Sequence, residues 1–227
     1  NDFQKFMEYN VRDVDLIIML EEKMKLLELA LALAYSAKVN YEDVFSQVRT
    51  WDQIIYHHLR KQNIVIPPKK GGKKDEQYAG AYVKEPIVGM HDWIVSFDLN
   101  SLYPHLIMQY NISPETMAYF DKDFAITPNG ILKHSEVTMK SIEKFSSEGL
   151  SIAANGTTYR KDMMGFLPTL MEKMYEERSV YKRLMIDCQK RQQAGEKNLE
   201  KDITKYHNFQ LVRKIQLNSA YGAIGNQ

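Results

Sequence analysis

Apolar residues recur at helical spacing over the first part of the chain. Between Asp13 and Ala37 they recur at spacings that fit a helix, while Glu21, Glu22 and Lys23 face water. Residues three and four apart share one face of a helix, so this pattern predicts one long amphipathic helix. The apolar positions that carry it are Val14, Ile17, Ile18, Met24, Leu27 and Leu31.

Shorter elements follow this helix. Two helices are predicted at about 41–48 and 50–61, the second with Thr50 as its N-cap, and a short strand at 64–66. The next segment, PPKKGGKKDE at 67–76, has the Pro, Gly and Lys content of a linker or an exposed loop. We therefore place the main domain boundary there.

The middle of the chain combines short apolar runs with turn signals. Residues 93–98 (WIVSFD) predict a buried strand, and 104–110 predict a short helix that opens with proline. Asn-Gly pairs at 129–130 and 155–156 are hairpin signals, since both residue types tolerate the backbone of a tight turn. This region is therefore predicted to be a sheet of short strands.

Two long helices, at about 168–193 and 198–223, are predicted to form an antiparallel hairpin that turns around Gly195. In such a hairpin Arg178 lies level with Lys214, and Lys182 lies one turn from Arg178 on the same face. Three cations a turn apart suit a triphosphate, because arginine can hold phosphate oxygens by two hydrogen bonds. Asn218 and Tyr221 share the face of Lys214 and suit a base and a sugar.

A plainer interpretation of these cations stays open. They could form a solvated helix surface and pair with the carboxylates of Glu172, Glu176 and Glu177.

Asp98 also has two interpretations. A carboxylate at a strand end, followed by a tight turn, can bind Mg²⁺, but it can also cap the turn between a strand and a helix.

Composition narrows the classes of protein. The chain is 44% hydrophobic and 26% charged, which is typical of a globular protein with a real core. The single cysteine, Cys188, excludes an internal disulfide and fits a reducing compartment. The longest apolar run, 29–35, is too short to span a bilayer, and no signal segment opens the chain. We therefore expect a cytoplasmic protein that is not secreted and has no membrane partner.

The net charge of +1 conceals an asymmetry along the chain. Residues 1–50 hold six Lys/Arg against nine Asp/Glu, a balance of −3. Residues 160–214 hold thirteen Lys/Arg against eight Asp/Glu, a balance of +5. A basic second half attracts phosphates, which favours a nucleotide or a nucleic acid as partner.

Two segments, residues 98–104 (DLNSLYP) and residues 214–222 (KIQLNSAYG), stand 116 residues apart. Read together they resemble family B DNA polymerases. The first is similar to that family's motif D-x-x-S-L-Y-P and the second to its motif K-x-x-x-N-S-x-Y-G, and they stand in the family's order. The flanks at 111–116 and 165–168 most resemble the replicative enzymes of large tailed bacteriophages.

The resemblance implies roles for the first motif. Asp98 is the metal-binding aspartate shared by two Mg²⁺ ions, and the Leu99 carbonyl completes the metal shell. The backbone amides of Ser101 and Leu102 hold the triphosphate tail of the dNTP. The ring of Tyr103 lies beneath the incoming sugar, where it excludes a 2′-hydroxyl.

The hairpin helices carry the other implied dNTP-binding residues. Arg178, Lys182 and Lys214 form the cationic set of the fingers, and Lys214 joins Asp98 as a catalytic residue. Asn218 and Tyr221 contact the nascent base pair, and Gly222 leaves room for it.

Two further segments resemble parts of the family. Tyr9 and Asp13 match the Y-x-x-x-D motif of an attached 3′–5′ exonuclease, in which the tyrosine orients water and the aspartate binds metal. Residues 77–81 (QYAGA) resemble the segment that contacts template DNA, with Tyr78 and Gly80 as the DNA-binding residues. His105 departs from the family, which commonly has serine at this position.

The resemblance implies a fragment of mixed α/β (α+β) fold. It assigns 1–66 to the end of the exonuclease domain and connecting helices, and 67–92 to a linker and template-contact segment. It assigns 93–166 to part of the palm sheet and 167–227 to the fingers hairpin. The D-x-D metal motif and the thumb are expected beyond residue 227, and the first two exonuclease motifs before residue 1, so the isolated chain is expected to be inactive.

The function implied is that of a DNA-directed DNA polymerase using two Mg²⁺ ions, primer-template DNA and dNTPs. A missing C-terminal polymerase half and a sliding clamp are further expected partners, and a viral enzyme would act in the host cytoplasm. Two alternatives remain. One is a non-catalytic nucleotide- or DNA-binding module, and the other is a split-gene subunit that becomes active only when its C-terminal half docks.

Overall fold

The computed structural model describes residues 2–68, 83–121 and 136–225. The chain divides into two compact units. Unit 1 comprises Asn1–Pro67 and Glu177–Asn226, and unit 2 is formed by Pro68–Glu176. The fold class is mixed, with many helices and a small antiparallel sheet, as the sequence predicts. The predicted domain limits stay predictions.

The helices of unit 1 are α1 (Phe3–Met24), α2 (Leu26–Ala37), α3 (Gln47–Lys61), the later part of α6 (Phe166–Gln193) and α7 (Glu200–Ile224). The elements of unit 2 are α4 (Leu102–Tyr110), β1 (Met117–Phe120), α5 (Glu136–Ser147), β2 (Leu150–Ile152), β3 (Thr157–Arg160) and the start of α6. No helix among the described residues is both long and apolar enough to cross a membrane.

The long helix predicted at 13–37 is two helices. Lys25 separates them with a left-handed backbone, φ 51°, and its N–H donates to the Glu21 carbonyl. The Glu21 carboxylate accepts from the N–H of Leu27 at 3.2 Å, which satisfies a donor at the start of α2. The helical periodicity continues through the break, which is why the sequence pattern does not reveal it. α1 buries none of its residues.

The elements between 41 and 66 differ in detail from the prediction. The helix expected at 41–48 is a short 3₁₀ helix, Tyr41–Phe45. Ser46, rather than Thr50, caps α3: its Oγ accepts from the N–H of Arg49 at 3.4 Å. The Thr50 hydroxyl lies inside the helix and donates to the Ser46 carbonyl. The segment 64–66 forms no strand.

The core of unit 1 forms where α2 and α3 pack on α7. Trp51 of α3 is 2% exposed, and Leu217 and Ala220 of α7 are completely buried. The Trp51 indole N–H donates to the Gln216 carbonyl and to Ser219 Oγ, both at 3.2 Å. These bonds satisfy the one polar atom of the buried indole, so α3 is held at a defined position along α7. An apolar cluster lies alongside, made of Leu33, Ala34, Val44 and Val212.

The later part of α6 and α7 form an antiparallel hairpin, as predicted. Three contacts across it show the direction, because the residue numbers rise along α6 as they fall along α7. They are the Glu177–Arg213 ion pair at 2.6 Å, the Tyr181–Phe209 ring contact at 5.2 Å and the Gln192–Glu200 hydrogen bond at 3.0 Å. Near the tip, a hydrogen bond from Arg191 lowers the pKa of the Glu196 carboxyl.

Unit 2 contains an antiparallel sheet with strand order β1-β3-β2. The β2–β3 hairpin confirms the signal at 155–156, with Ile152 opposite Thr158 and the turn closed by a bond from the Gly156 N–H to the Ala153 carbonyl. Gly156 has φ 90°, a conformation that glycine adopts without strain. The other Asn-Gly pair, at 129–130, lies outside the described residues.

The buried strand predicted at 93–98 is wrong. This segment forms neither helix nor strand, and Trp93 and Phe97 are 99% and 89% exposed. A β-strand exists only when its backbone groups are hydrogen-bonded to a neighbouring strand, and no described segment pairs with these residues. The sheet is built instead from residues between 117 and 160.

Candidate functional site

The turn after Asp98 leads directly into α4. Asp98 and Leu99 are exposed, and Ser101 adopts a left-handed backbone with φ 52° just before the helix. The Ser101 carbonyl accepts two bonds from His105, one from its backbone N–H at 3.1 Å and one from ring Nδ1 at 2.9 Å. Because a carbonyl can only accept, His105 carries its hydrogen on Nδ1. The residue that departs from the family motif therefore stabilises the motif's own turn.

Tyr175 on the first part of α6 contacts Asn100 in this turn and His105 in α4. The amide of Asn100 donates to the Tyr175 hydroxyl at 3.3 Å. The His105 ring lies edge-on to the Tyr175 ring, with centroids 4.8 Å apart at 82°. Sequence analysis missed Tyr175, because it stands 75 residues from Asn100 in no recognisable motif. Its contacts support the backbone that carries Asp98.

The side chains that follow the turn point partly into solvent. Leu102 is 40% and Tyr103 45% exposed, whereas Pro104 is buried. The accessible ring of Tyr103 is compatible with the predicted contact to a sugar. The role of Tyr103, and those of the Ser101 and Leu102 amides, stay predictions.

The two flanking segments that resemble phage enzymes come together in unit 2. The buried Asn111 side chain donates to the carbonyls of Arg160 and Met163, at 2.6 and 2.7 Å. Its Oδ1 accepts from the N–H of Gly165 at 2.9 Å. A Cβ added to Gly165 would lie 2.4 Å from Ser113 Cβ, so glycine is required for this approach.

The close approach of the 111–116 segment to Gly165 also provides acceptors for the first backbone N–H groups of α6. Glu115 Oε1 accepts from the N–H of Phe166 at 2.5 Å, and Ser113 Oγ lies 3.5 Å from the N–H of Leu167. Donors in the first turn of a helix have no partner within the helix. The 111–116 segment thus holds the N-terminus of α6, the helix that carries Tyr175.

The hairpin in unit 1 presents the predicted cations. Lys182 and Lys214 are exposed and Arg178 is half-buried. In the described part of the chain neither lysine forms an ion pair, and the Glu177 carboxylate pairs with Arg213 instead. Since Arg178 follows Glu177 and Lys214 follows Arg213, this ion pair brings α6 and α7 together at the level of the predicted pair of cations.

The two faces of α7 separate cleanly. Lys214, Asn218 and Tyr221, at positions i, i+4 and i+7, are exposed, with Tyr221 at 44%. Gln216, Leu217 and Ala220 face the core and are completely buried. A Cβ added to Gly222 would meet nothing within 4 Å. Lys214, Asn218 and Tyr221 therefore share one accessible face of α7. Asp98 belongs to unit 2, and joint action of these residues with it stays a prediction.

The predicted exonuclease residues both lie on α1. Tyr9 and Asp13 lie one turn apart on α1, and both are exposed, which is compatible with the predicted metal and water contacts. Tyr78 and Gly80 lie outside the described residues. The roles of all four stay predictions.

The predicted metal site requires carboxylate ligands. Across residues 2–68, 83–121 and 136–225, no group of three or more His, Cys, Asp or Glu side chains could hold a metal. Mg²⁺ prefers six oxygen ligands in octahedral geometry and relies on carboxylates for charge. Asp98 fits as one ligand, but alone it does not fit two ions.

Comparison with known proteins identifies the family. A model of DNA polymerase family B matches residues 44–227. The chain is 36% identical to the DNA-directed DNA polymerase of Escherichia phage RB69 over 190 residues, covering 84% of this chain and 20% of that one. It is 29% identical to that of Enterobacteria phage T4, covering 98% of this chain and 28% of that one.

The fold agrees with that assignment. The family B DNA polymerase structure from the archaeon Pyrobaculum calidifontis superposes with a TM-score of 0.66, at 23% identity, over 97% of this chain and 25% of the other. The chain spans 20% and 28% of the two phage relatives. On the extent of the family match, this chain belongs to DNA polymerase family B.

Proposed function

We propose that this chain is the nucleotide-binding segment of a DNA-directed DNA polymerase. The observation that carries the proposal is the accessible face of α7, which presents Lys214, Asn218 and Tyr221, with Lys214 near the level of Arg178. Arg178, Lys182 and Lys214 bind the triphosphate of a dNTP. Asn218 and Tyr221 contact the base and sugar, with Gly222 leaving room for the template base.

The reaction proposed for the complete site is nucleotidyl transfer. A primer 3′-hydroxyl attacks the α-phosphorus of the dNTP, a new phosphodiester bond forms, and pyrophosphate leaves. Lys214 and Arg178 stabilise the negative charge that develops on the phosphates. Tyr103 excludes a 2′-hydroxyl, and the Ser101 and Leu102 amides hold the phosphate tail.

Asp98 and the Leu99 carbonyl are proposed ligands of two Mg²⁺ ions, with further carboxylates from other segments. These ions would neutralise the attacking and leaving oxygens. Because Asp98 is the one carboxylate of this motif, the isolated chain is expected to bind dNTP weakly and to show no useful turnover. A polypeptide with the D-x-D motif is the proposed partner for activity.

The other partners proposed are primer-template DNA, contacted through Tyr78 and Gly80, and a sliding clamp. A 3′–5′ exonuclease site would include Tyr9 and Asp13, with Asp13 as a metal ligand. The phage relatives favour the cytoplasm of a bacterial host as the place of action.

The first test measures dNTP binding by the chain. Because the expected affinity is low, binding is detected through the ³¹P line broadening of the triphosphate. Lys214→Ala should weaken binding about tenfold, since it removes one desolvated phosphate contact. Lys201→Ala is the matched control: it removes an exposed lysine of the same helix about 20 Å away. Equal binding by the Lys214 variant and the control would contradict the proposal.

The second test concerns catalysis. The chain, joined to or mixed with a polypeptide that carries the D-x-D motif, should extend a primer. Asp98→Asn should reduce extension at least about a hundredfold while dNTP binding by the fingers persists. Unchanged extension would leave a nucleotide-binding module as the better interpretation.

A further inference from the structure

Arg213 is the centre of a polar network that joins three helices of unit 1. Its Nη1 donates to Ser36 Oγ of α2 and to Gln216 Oε1 of α7, both at 2.7 Å. Its Nη2 lies 2.6 Å from the carboxylate of Glu177 on α6. The Gln216 amide completes the network with a 3.2 Å bond to Ser36 Oγ.

The position of this network determines which face of α7 is accessible. Successive residues of a helix are separated by about 100°, so Arg213 and Lys214 point in clearly different directions. Arg213 faces α2 and α6 with its side chain 20% exposed, and Lys214 faces solvent. A rotation of α7 that broke the Ser36 and Glu177 contacts would carry Lys214 and Asn218 away from their present direction.

The guanidinium of Arg213 is engaged by protein groups on three helices. Its Nη1 donates to Ser36 Oγ and Gln216 Oε1, and its Nη2 is ion-paired with the Glu177 carboxylate. Glu177 also neutralises its charge. The neighbouring lysine, exposed and without an ion pair among the described residues, is the group that can meet an anion.

We propose that Arg213 is a positioning residue for nucleotide binding. By bridging Ser36 and Glu177 it fixes the rotation and level of α7, so that Lys214 and Arg178 meet one triphosphate together. This inference rests on the proposed function, because it requires that these two cations bind the dNTP. It extends the nucleotide site to α2, a helix that contains no predicted site residue.

The experiment compares dNTP affinity across variants of the chain, at a temperature where circular dichroism shows each one folded. Arg213→Met should weaken dNTP binding about five- to tenfold. Arg213→Lys should bind dNTP more tightly than Arg213→Met but less tightly than the parent chain, since lysine lacks the planar fork of arginine. Ser36→Ala should weaken binding about two- to threefold without changing any charge. Its effect separates positioning from a loss of positive potential near the phosphates.

Arg191→Met is the matched control. It removes an arginine of α6 that pairs with Glu196 near the hairpin tip, about 20 Å along the helix from Arg178, and should leave dNTP affinity unchanged. Glu177→Gln combined with Arg213→Met should weaken binding less than the two single effects multiplied, because both act through one contact.

The outcomes distinguish the two proposals. If Lys214→Ala weakens binding while folded Arg213→Met and Ser36→Ala bind like the parent chain, the positioning role is refuted and the nucleotide site stands. If Lys214→Ala has no effect, or the parent chain binds no dNTP, the proposed function fails, and this inference fails with it. Any Arg213 variant that does not fold is replaced in the comparison by Ser36→Ala, which preserves every charge.

Discussion

Replacing Asn111 by alanine should destabilise the sheet region of unit 2 by about 4 kcal/mol. The side chain makes three hydrogen bonds, two to the carbonyls of Arg160 and Met163 and one from the N–H of Gly165. Each contributes about 1 kcal/mol, and each leaves a polar group unpaired when removed. Alanine in the left-handed backbone that Asn111 adopts, φ 56°, costs about 1 kcal/mol more.

The assay is hydrogen exchange followed by mass spectrometry on peptides that cover β2 and β3. It reports unit 2 separately, which matters because a chain of two units need not unfold in one step. A loss of about 4 kcal/mol corresponds to roughly a thousandfold faster exchange through unfolding. Asn111→Gly should lose about 3 kcal/mol, because glycine tolerates the backbone but makes no side-chain bond.

Asn63→Ala is the control for the backbone term. Asn63 has a similar φ of 59°, is exposed, and makes no side-chain hydrogen bond among the described residues. Its replacement should cost about 1 kcal/mol, read in peptides from the end of α3. If Asn111→Ala and Asn63→Ala lose similar protection in their own regions, the reasoning from the three hydrogen bonds is refuted.

Three other variants have defined outcomes. Gly165→Ala should lower the urea midpoint of unit 2 because its Cβ would lie 2.4 Å from Ser113 Cβ; an unchanged midpoint would mean that the segment yields easily. Gly222→Ala should instead stabilise α7 by about 1 kcal/mol in thermal unfolding, yet weaken primer extension by the completed enzyme; full activity would argue against a base pair at this face. Burial, with Lys38, Arg60 and Lys61, lowers the pKa of His57, so folding disfavours its protonated form. Stability should be full above the unfolded pKa of about 6.5 and fall as the pH drops below it, and His57→Gln should reduce the difference in melting temperature between pH 7.5 and 5.5.

The hairpin was accessible to sequence reasoning because its signals are local. Two long periodic segments separated by Gly195 predict two helices, and the spacing from Lys214 to Asn218 and Tyr221 places these residues on one face. The structure confirms the hairpin and that shared face. One of the two family motifs, at 214–222, lies on the second of these helices, so the resemblance and the helical spacing point to the same face.

The contacts that hold the site together were not accessible in this way. Glu177 and Arg213 are far apart in the chain, and nothing in their spacing distinguishes them from other charges on the same helices. Asn111 bonds to backbone groups, which leave no trace in a pattern of side chains. The segment 93–98 has the letters of a strand, but strand formation depends on a partner that its own sequence does not specify.

The left-handed residue between α1 and α2 has a practical consequence for handling the protein. α1 buries no side chain, and Lys23 and Lys25 lie at its exposed end. Brief trypsin treatment should therefore cut at this junction before it reaches α2, α3 and α7. The trimmed product should keep its melting temperature and its dNTP affinity. The hydrogen bonds and the ion pair of Trp51 and Arg213 are made with α2, α6 and α7, which remain after α1 is removed.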